Sequence, residues 1–336
     1  MNKSNVFIIA ELGQAHDGSL GILHSYIDAI AKTGVDAIKF QTHIADAESS
    51  QHEPFRVNFS YEDKSRFDYW KRMEFSLEQW KEIKTHCTEV GLEFMSSPFS
   101  IAAVDLLEKV GVNRYKIGSG EVTNFLLLEK IISTRKPIIL SSGMSSLSEL
   151  DRTVSFLKSR NADFSILQCT TSYPTKPHQY GLNVIGELRN RYNIKVGYSD
   201  HSSEIGTCIA ASALGAEILE FHVVFNKDIF GPDSKSSLTI DETMQLVKAV
   251  RNIKTALNNP VDKNDISNFR DVKDIFEKSL SINKDMKSGE FITLDDLEAK
   301  KPRGFGISAS DYSKIIGMKV KNNIAKYSFI NYKDLE

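Results

Sequence analysis

Cysteine is scarce in this chain. Its three thiols, Cys87, Cys169 and Cys208, are far apart and odd in number. That usage suits reduced, packed side chains better than a disulfide framework or a zinc site, and a lone catalytic thiol is the less favoured reading. Charge of either sign is also not in excess: 42 Lys and Arg oppose 44 Asp and Glu, for a net charge of −2. No basic field is available for nucleic acid or an anionic membrane, so any cation that matters must act locally. No apolar run approaches the roughly 20 residues that a membrane span needs. The opening MNKSNVFIIAELG passes from polar residues directly into a strand-like run too short for a signal peptide, so the expected compartment is the cytoplasm. No GxGxxG follows that first run, which weighs against a doubly wound dinucleotide-binding sheet, the runner-up architecture.

What is present is a repeating pattern. At 336 residues the chain exceeds what one core normally serves, so one large and one small domain are expected. Short apolar runs alternate with amphipathic stretches from Val6 to about Leu257. The expected strands are Val6–Ala10, Val35–Gln41, Leu92–Ser97, Arg114–Ile117, Pro137–Ser142, Phe164–Cys169, Ile194–Tyr198 and Ala216–Val223. Between them, Leu20, Leu23, Ile27 and Ile30 mark one helix face. A capping box at Ser76 and Gln79 opens another helix, which buries Leu77, Trp80, Ile83 and Cys87. A last helix is expected to bury Met244, Val247, Val250, Ile253 and Leu257. Gly34, Gly91, Gly111 and Gly215 punctuate helix ends before strands and suit the left-handed position there. Near-continuously apolar strands are those covered on both faces. Eight such βα units in about 255 residues point to a (β/α)8 TIM barrel, an α/β fold.

Active sites of such barrels lie at the carboxyl ends of the strands. Those ends read Glu11; Lys39 and Gln41; Ser96 and Ser97; Lys116, Ser119 and Glu121; Ser141 and Ser142; Thr170, Thr171 and Tyr173; Ser199, Asp200 and His201; Glu220 and His222. Lysines inside apolar strands, as in DAIKFQ and RYKIGSGE, argue for function over surface ion pairing. Two lysines with a ring of serines make an anion site suited to phosphate, and Gly118 and Gly120 allow close approach of backbone N–H groups. In the stretch Val196–Val223, His201 and His222 fall at the ends of neighbouring strands and face one spot. The pair could hold a divalent cation; two polar residues closing buried strands fit the same spacing.

Between the second strand and Ser76 an insertion, IADAESSQHEPFRVNFSYEDKSRFDYWKRMEF, mixes aromatics with charges and shows neither helical nor strand periodicity. A loop of that length usually covers a site, which makes His43, His52 and Arg56 candidates for substrate contact. The expected organisation is a catalytic barrel over 1–257, a polar linker over 258–274 and a small module over 275–336 with short apolar runs and a KSGE turn.

Taken together, IIAELGQAHDGS, DAIKFQT, FMSSPFS, YKIGSGEVTN, ILSSGM, QCTTSYPT, VGYSDHS, ILEFHV and GPDSKSSL resemble the sialic acid synthase family, the phosphoenolpyruvate-dependent nonulosonate synthases, over essentially the whole chain. The tail, with DMKSGEFITLDDLEAKKPRG, is similar to that family's SAF domain, itself like type III antifreeze proteins. The resemblance implies a barrel-plus-SAF homodimer in which one subunit's small domain covers the other's barrel mouth. It implies condensation of phosphoenolpyruvate with an acetamido-hexose, with a divalent metal, manganese first and magnesium or cobalt as alternatives. By motif it implies His201 and His222 as metal ligands, and Lys39, Ser97, Lys116, Ser119, Ser141 and Ser199 as phosphoenolpyruvate contacts. Glu11, Gln41, Thr171, Tyr173 and Asp233 fall to the sugar, and Glu121 to a general base, with Glu11, Lys39 and Lys116 beside it as catalytic residues. The chain departs from the family pattern at Ala15, at EFHVV and at Ser234. Where the family's SAF arginine stands this chain has Lys301, with Arg303 two residues on, both candidates for the sugar. Competing readings are a metal-dependent aldolase, another phosphoenolpyruvate condensing enzyme acting on a sugar phosphate, and a carbohydrate- or ice-binding protein.

Overall fold

A computed structural model describes residues 6–57 and 59–336. The chain divides into two compact units, Met1–Asn259 and Pro260–Glu336. In the first, the barrel strands are β1 (Phe7–Glu11), β2 (Ala37–Thr42), β3 (Glu93–Pro98), β4 (Tyr115–Ile117), β5 (Ile138–Ser141), β6 (Phe164–Cys169), β7 (Val196–Asp200) and β8 (Ile218–Val224). Each pairs in parallel with the next, and β1 pairs with β8, so the sheet closes into the expected TIM barrel. Gly34, Gly91, Gly111 and Gly215 hold φ between +81° and +91°, a conformation costly for any residue with a Cβ, and so turn the chain from helix to strand.

Because side chains alternate along a strand, each strand serves two layers. One set, including Ile8, Ile38, Phe94, Tyr115, Leu140, Ile166, Tyr198 and Phe221, packs outward against the helices. The other faces the barrel axis. Its lower level is an apolar plug of Ile9, Ala37, Met95, Ile139, Leu167 and Ile218, partly covered by Phe7. The upper level is polar. Register sets that level: Glu11 lies opposite Lys39 on one side and His222 on the other, Gln41 opposite Ser97, and Ser199 opposite Glu220. On the opposite, amino-terminal side, Arg251 Nη1 donates to the Val6 carbonyl at 2.5 Å and Nη2 to both Asp36 oxygens at 2.8 Å, tying the last helix to the first strand.

Two local expectations are corrected. The final helix of this unit, Ile240–Asn258, buries Thr243, Leu246, Val247 and Val250, while Met244 and Leu257 are 39% and 55% exposed. The buried stripe is rotated by about one residue because the Thr243 hydroxyl is satisfied by the Thr239 carbonyl and so can face the core at little cost. The insertion after β2 is also not irregular throughout. It contains short helices Ala45–Glu48 and Arg66–Met73, the second closed by a Ser65/Asp68 capping box, packed around Tyr69, Trp70 and Met73.

The second unit begins at Pro260, and the stretch read as linker contains a helix, Arg270–Phe276. An antiparallel pair, Ser279–Ile282 with Leu297–Lys300, leads into a loop-rich fold. Leu280, Ile282, Met286, Ile292, Ile307, Val320 and Ile330 form its own core. The KSGE turn is present, with Glu290 N donating to the Lys287 carbonyl at 3.1 Å and Gly289 at φ +86°. No helix among the described residues is long and apolar enough to cross a membrane.

Candidate active site

The polar upper level of the barrel forms the floor of a cavity of about 560 Å³, a size usual for a small-molecule site. Its walls come from the loops after the strands and from the insertion after β2. Most of the residues expected in the site meet here: Glu11, Lys39, Gln41, Ser97, Lys116, Ser119, Glu121, Ser141, Thr171, Tyr173, Ser199, His201, His222 and Asp233 all line it. Lys301 and Arg303 belong to the second unit. There the Lys301 ammonium sits 4.4 Å from the Phe276 ring centroid, and Arg303 pairs with Glu277 at 2.8 Å. Ser96, Ser142, Thr170 and Asp200, named at the strand ends, do not line the cavity. They are one residue out of phase with the inward set; Ser96 bonds Thr42, and Asp200 holds the following turn through Ser202.

Two buried cations define the floor. Lys39 Nζ lies 2.6 Å from Glu11 and 3.3 Å from the Ser97 hydroxyl. Burial opposes its charge, but the Glu11 and Glu220 carboxylates outweigh that and hold the ammonium above its usual range. Lys116 Nζ lies 2.7 Å from the Ser141 hydroxyl and 3.1 Å from Glu220. Burial would raise the Glu11 pKa, yet His222, Lys39 and Lys116 hold this carboxyl well below the usual carboxylate range. Burial raises Glu121, whose carboxylate accepts from Asn124 at 2.7 Å, and raises the Tyr173 phenol.

A hydrogen-bond relay fixes one wall. The ionised Glu11 can only accept, so Gln41 turns its amide N–H to it at 2.7 Å. The Gln41 carbonyl then faces Gln14, whose N–H donates to it at 2.8 Å and approaches His43 Nε2 at 2.7 Å. His43 Nε2 is therefore the acceptor and its Nδ1–H donates to Glu48 at 2.5 Å. The imidazole is held flat between Trp70 and Phe99, with ring centroids 3.9 and 4.7 Å away. His43 thus belongs to the wall and Arg56 to the mouth, whereas His52 is exposed and outside the cavity.

The floor leaves room and unmet polar groups. A Cβ on Gly143 would lie 2.2 Å from the Thr171 hydroxyl and 2.3 Å from that of Ser119, so any side chain there would displace both hydroxyls. Gln14 Oε1, Thr171 Oγ1 and Glu220 Oε2 are buried without a hydrogen-bond partner, an arrangement that costs stability unless a polar ligand meets them. Glu220 was named at the rim but given no role; Gln14, Trp70, Phe99 and Cys169 were missed. For Glu220 and Cys169 the signal was in the sequence, since both share strand parity with His222 and Ser199.

His201 and His222 come together as expected, with ring centroids 5.5 Å apart. His201 Nδ1 donates to the Thr170 carbonyl at 3.0 Å, which leaves its Nε2 lone pair for a ligand role. Among the described residues no group of three or more His, Cys, Asp or Glu is arranged to hold a metal. Two imidazoles alone would leave most of a cation's shell to solvent or substrate oxygen, a donor set that does not make the closed site of a structural zinc.

Comparison with known proteins adds the ancestry. The NeuB family pattern matches residues 26–262 and the SAF domain pattern residues 277–336. The N,N'-diacetyllegionaminic acid synthase of Campylobacter jejuni is 34% identical over 335 residues, covering 98% of this chain and 97% of that one. The human N-acetylneuraminate-9-phosphate synthase is 32% identical over 318 residues, covering 94% and 88%. Among solved structures, the N-acetylneuraminic acid synthetase of Leptospira borgpetersenii, in complex with citrate, superposes with a TM-score of 0.71 at 30% identity, covering 81% and 91%.

Proposed function

From a chain that belongs to the NeuB family and carries a C-terminal SAF domain, we propose a nonulosonic acid synthase that condenses phosphoenolpyruvate with an N-acylated amino-hexose and releases phosphate. Its class, a synthase forming a carbon–carbon bond, follows from the family. The observation that carries the finer reading is the cavity floor. Two buried lysines, each bonded to a serine hydroxyl, face two histidines across a space lined with unpartnered polar atoms.

In this reading Lys39 and Lys116 hold the phosphate and carboxylate of phosphoenolpyruvate, and Ser97, Ser119, Ser141 and Ser199 complete the shell. Glu11, Gln41, Thr171, Tyr173 and Asp233 orient the open-chain sugar, so that both reactants are positioned in one cavity. His201 and His222 would hold the divalent metal, which when bound supplies Lewis-acid polarisation of a carbonyl oxygen. The phosphoenolpyruvate C3 bonds to the aldehyde carbon while the carbonyl π pair moves to its oxygen, which takes up a proton. Water adds to the cationic C2 and gives one proton to Glu121; the remaining hydroxyl passes its proton to the departing phosphate as it becomes the C2 carbonyl, and the C2–O bond breaks with its electron pair leaving on inorganic phosphate. The second unit, through Lys301 or Arg303, closes the site of a partner subunit in a homodimer.

Phosphoenolpyruvate labelled with heavy oxygen at the bridging position tests the chemistry. The label should leave with inorganic phosphate while the C2 oxygen of the product comes from solvent. Label retained in the sugar acid means P–O cleavage and rules the mechanism out; pyruvate consumed without phosphate release would point to the aldolase.

A further inference from the structure

The relay in the cavity wall has a carboxylate at each end, Glu48 on the insertion and Glu11 on the floor. An ionised carboxylate only accepts, so each end draws a proton from its neighbour. Glu48 takes one from His43 Nδ1, which makes Nε2 an acceptor. Glu11 takes one from the Gln41 amide, which makes the Gln41 carbonyl an acceptor as well. These two acceptors lie only 3.3 Å apart, a contact that repels unless donors reach both. Gln14 supplies both donors from one amide nitrogen, 2.7 Å from His43 and 2.8 Å from Gln41. The same orientation leaves Gln14 Oε1 buried without a partner. A buried, orphaned carbonyl costs stability, so the neighbours impose this orientation on Gln14.

On the floor, Gln41 and Lys39 donate to the same Glu11 oxygen, at 2.7 and 2.6 Å, and the other oxygen stands 3.3 Å from His222 Nε2. A reversed Gln41 amide would set carbonyl against carboxylate and release Glu11 from that hold. The other end of the relay belongs to the insertion. Glu48 is the last residue of the helix Ala45–Glu48, and Trp70 of the helix Arg66–Met73 holds the imidazole flat against Phe99. His43 is covered on both faces and engaged at both nitrogens, so it reaches the floor only through Gln14.

We infer that His43 is a positioning residue: through Gln14 it fixes the direction of the Gln41 amide, hence the carboxylate of Glu11, and ties both to the insertion. The inference rests on the synthase reading above, in which Gln41 and Glu11 orient the sugar, and adds what orients them.

The test uses the full chain, phosphoenolpyruvate, manganese and whichever member of a panel of acetamido-hexoses turns over fastest. His43→Phe keeps the stack and loses both ring nitrogens; Gln14→Met keeps the shape and loses both donors. Each should raise KM for the hexose about tenfold and leave KM for phosphoenolpyruvate within about twofold. His43→Gln, whose side-chain oxygen accepts the Gln14 proton, should recover most of that loss. The double variant His43→Phe with Gln14→Met should be no worse than either single one, because members of one relay are not additive. Unchanged kinetics, additive losses, or equal losses for both reactants overturn the inference. A readout without turnover is hydrogen exchange of the Gln41 side-chain amide, followed by NMR in protein carrying isotope-labelled glutamine. Exchange should be at least about tenfold faster in His43→Phe and Gln14→Met than in wild type or His43→Gln. If no hexose releases phosphate, the synthase reading fails, and the exchange still decides the relay: Gln41 protected equally in all four proteins overturns it.

Discussion

Glu11 and Lys39 stand opposite each other in the register between β1 and β2, and their side chains close to 2.6 Å at the base of the cavity. The pair is almost wholly buried, so its mutual attraction is little screened and each member depends on the other for solvation. An arriving anion therefore meets a lysine whose charge is assured but shared. On the reading proposed above, binding would redistribute Lys39 between carboxylate and ligand rather than create a charge in the interior.

Replacing Lys116 by Met should separate binding from folding. The variant loses the cation proposed for phosphoenolpyruvate and strands Glu220, whose second oxygen is already unpartnered. Stability should fall by about 3 kcal/mol, the cost of an uncompensated buried charge. The double variant Lys116→Met with Glu220→Gln should recover most of the melting temperature and none of the affinity for phosphoenolpyruvate. An unchanged KM for phosphoenolpyruvate in either variant removes Lys116 from the anion site.

Gly143→Ala probes the space above the serines. Its Cβ would collide with the hydroxyls of Thr171 and Ser119, side-chain atoms that can be displaced without moving a barrel strand. Overpacking of this kind costs about 1–3 kcal/mol. Here the loss should appear mainly as a higher KM for phosphoenolpyruvate with a nearly native circular dichroism spectrum, because Ser119 is pushed from its place. Wild-type kinetics would show that the Ser119 hydroxyl has no part in binding.

Metal dependence should follow the two imidazoles. Chelator should abolish phosphate release and manganese restore it, while His201→Ala and His222→Ala should each weaken manganese binding, measured by calorimetry, by at least about 100-fold. Tight manganese binding by His201→Ala would place the ion elsewhere.

The pH profile should carry the mark of Glu121. Burial raises its pKa above the ordinary value of 4.5, and the proposed base must be ionised to take a proton from water. The acid limb of kcat/KM should therefore lie above pH 4.5, with activity rising as pH climbs through the raised value. Stability runs the other way: a carboxyl whose folded pKa is raised favours the native state at low pH, and loses that contribution as pH rises between the unfolded and folded values. Glu121→Gln should remove the acid limb, lower the rate and leave neutral-pH stability equal or slightly higher. An acid limb unchanged in Glu121→Gln assigns the proton transfer to another group.

Truncation after Asn259 should leave a folded barrel, since that unit has its own core, with little activity if the second unit completes a partner's site. In the full chain, Arg303→Ala should cost more than Lys301→Ala, because only the guanidinium offers a planar fork to a sugar. A fully active monomeric truncation would dispose of the shared site.

Much of this was legible from spacing. Eight apolar runs, four helix-ending glycines and lysines inside strands led to the barrel and to most of the cavity floor. The failures at the strand ends have one physical source, the parity of a strand. Ser96 and Ser97 are neighbours in sequence, but one faces the helices and the other the cavity, and strand edges read to within one or two residues do not say which. Met244 is a related case: a buried threonine with a satisfied hydroxyl turned the helix, and hydrophobicity alone does not foresee that. The His43 relay was invisible for another reason. Its members are joined by amide orientation and by stacking on residues far along the chain, Trp70 and Phe99.

The seam where β8 meets β1 also orders events in time. Glu11 has Lys39 within reach as soon as β1 pairs with β2, whereas His222 and the Arg251 clamp on Val6 belong to segments made more than 200 residues later. A chain emerging from the ribosome thus carries a half-ring, with its acid and its first cation already matched, and neither the histidine pair nor the closed rim exists until the last strand is released. An early, incomplete barrel therefore lacks the paired histidines and the closed rim on which the proposed activity depends.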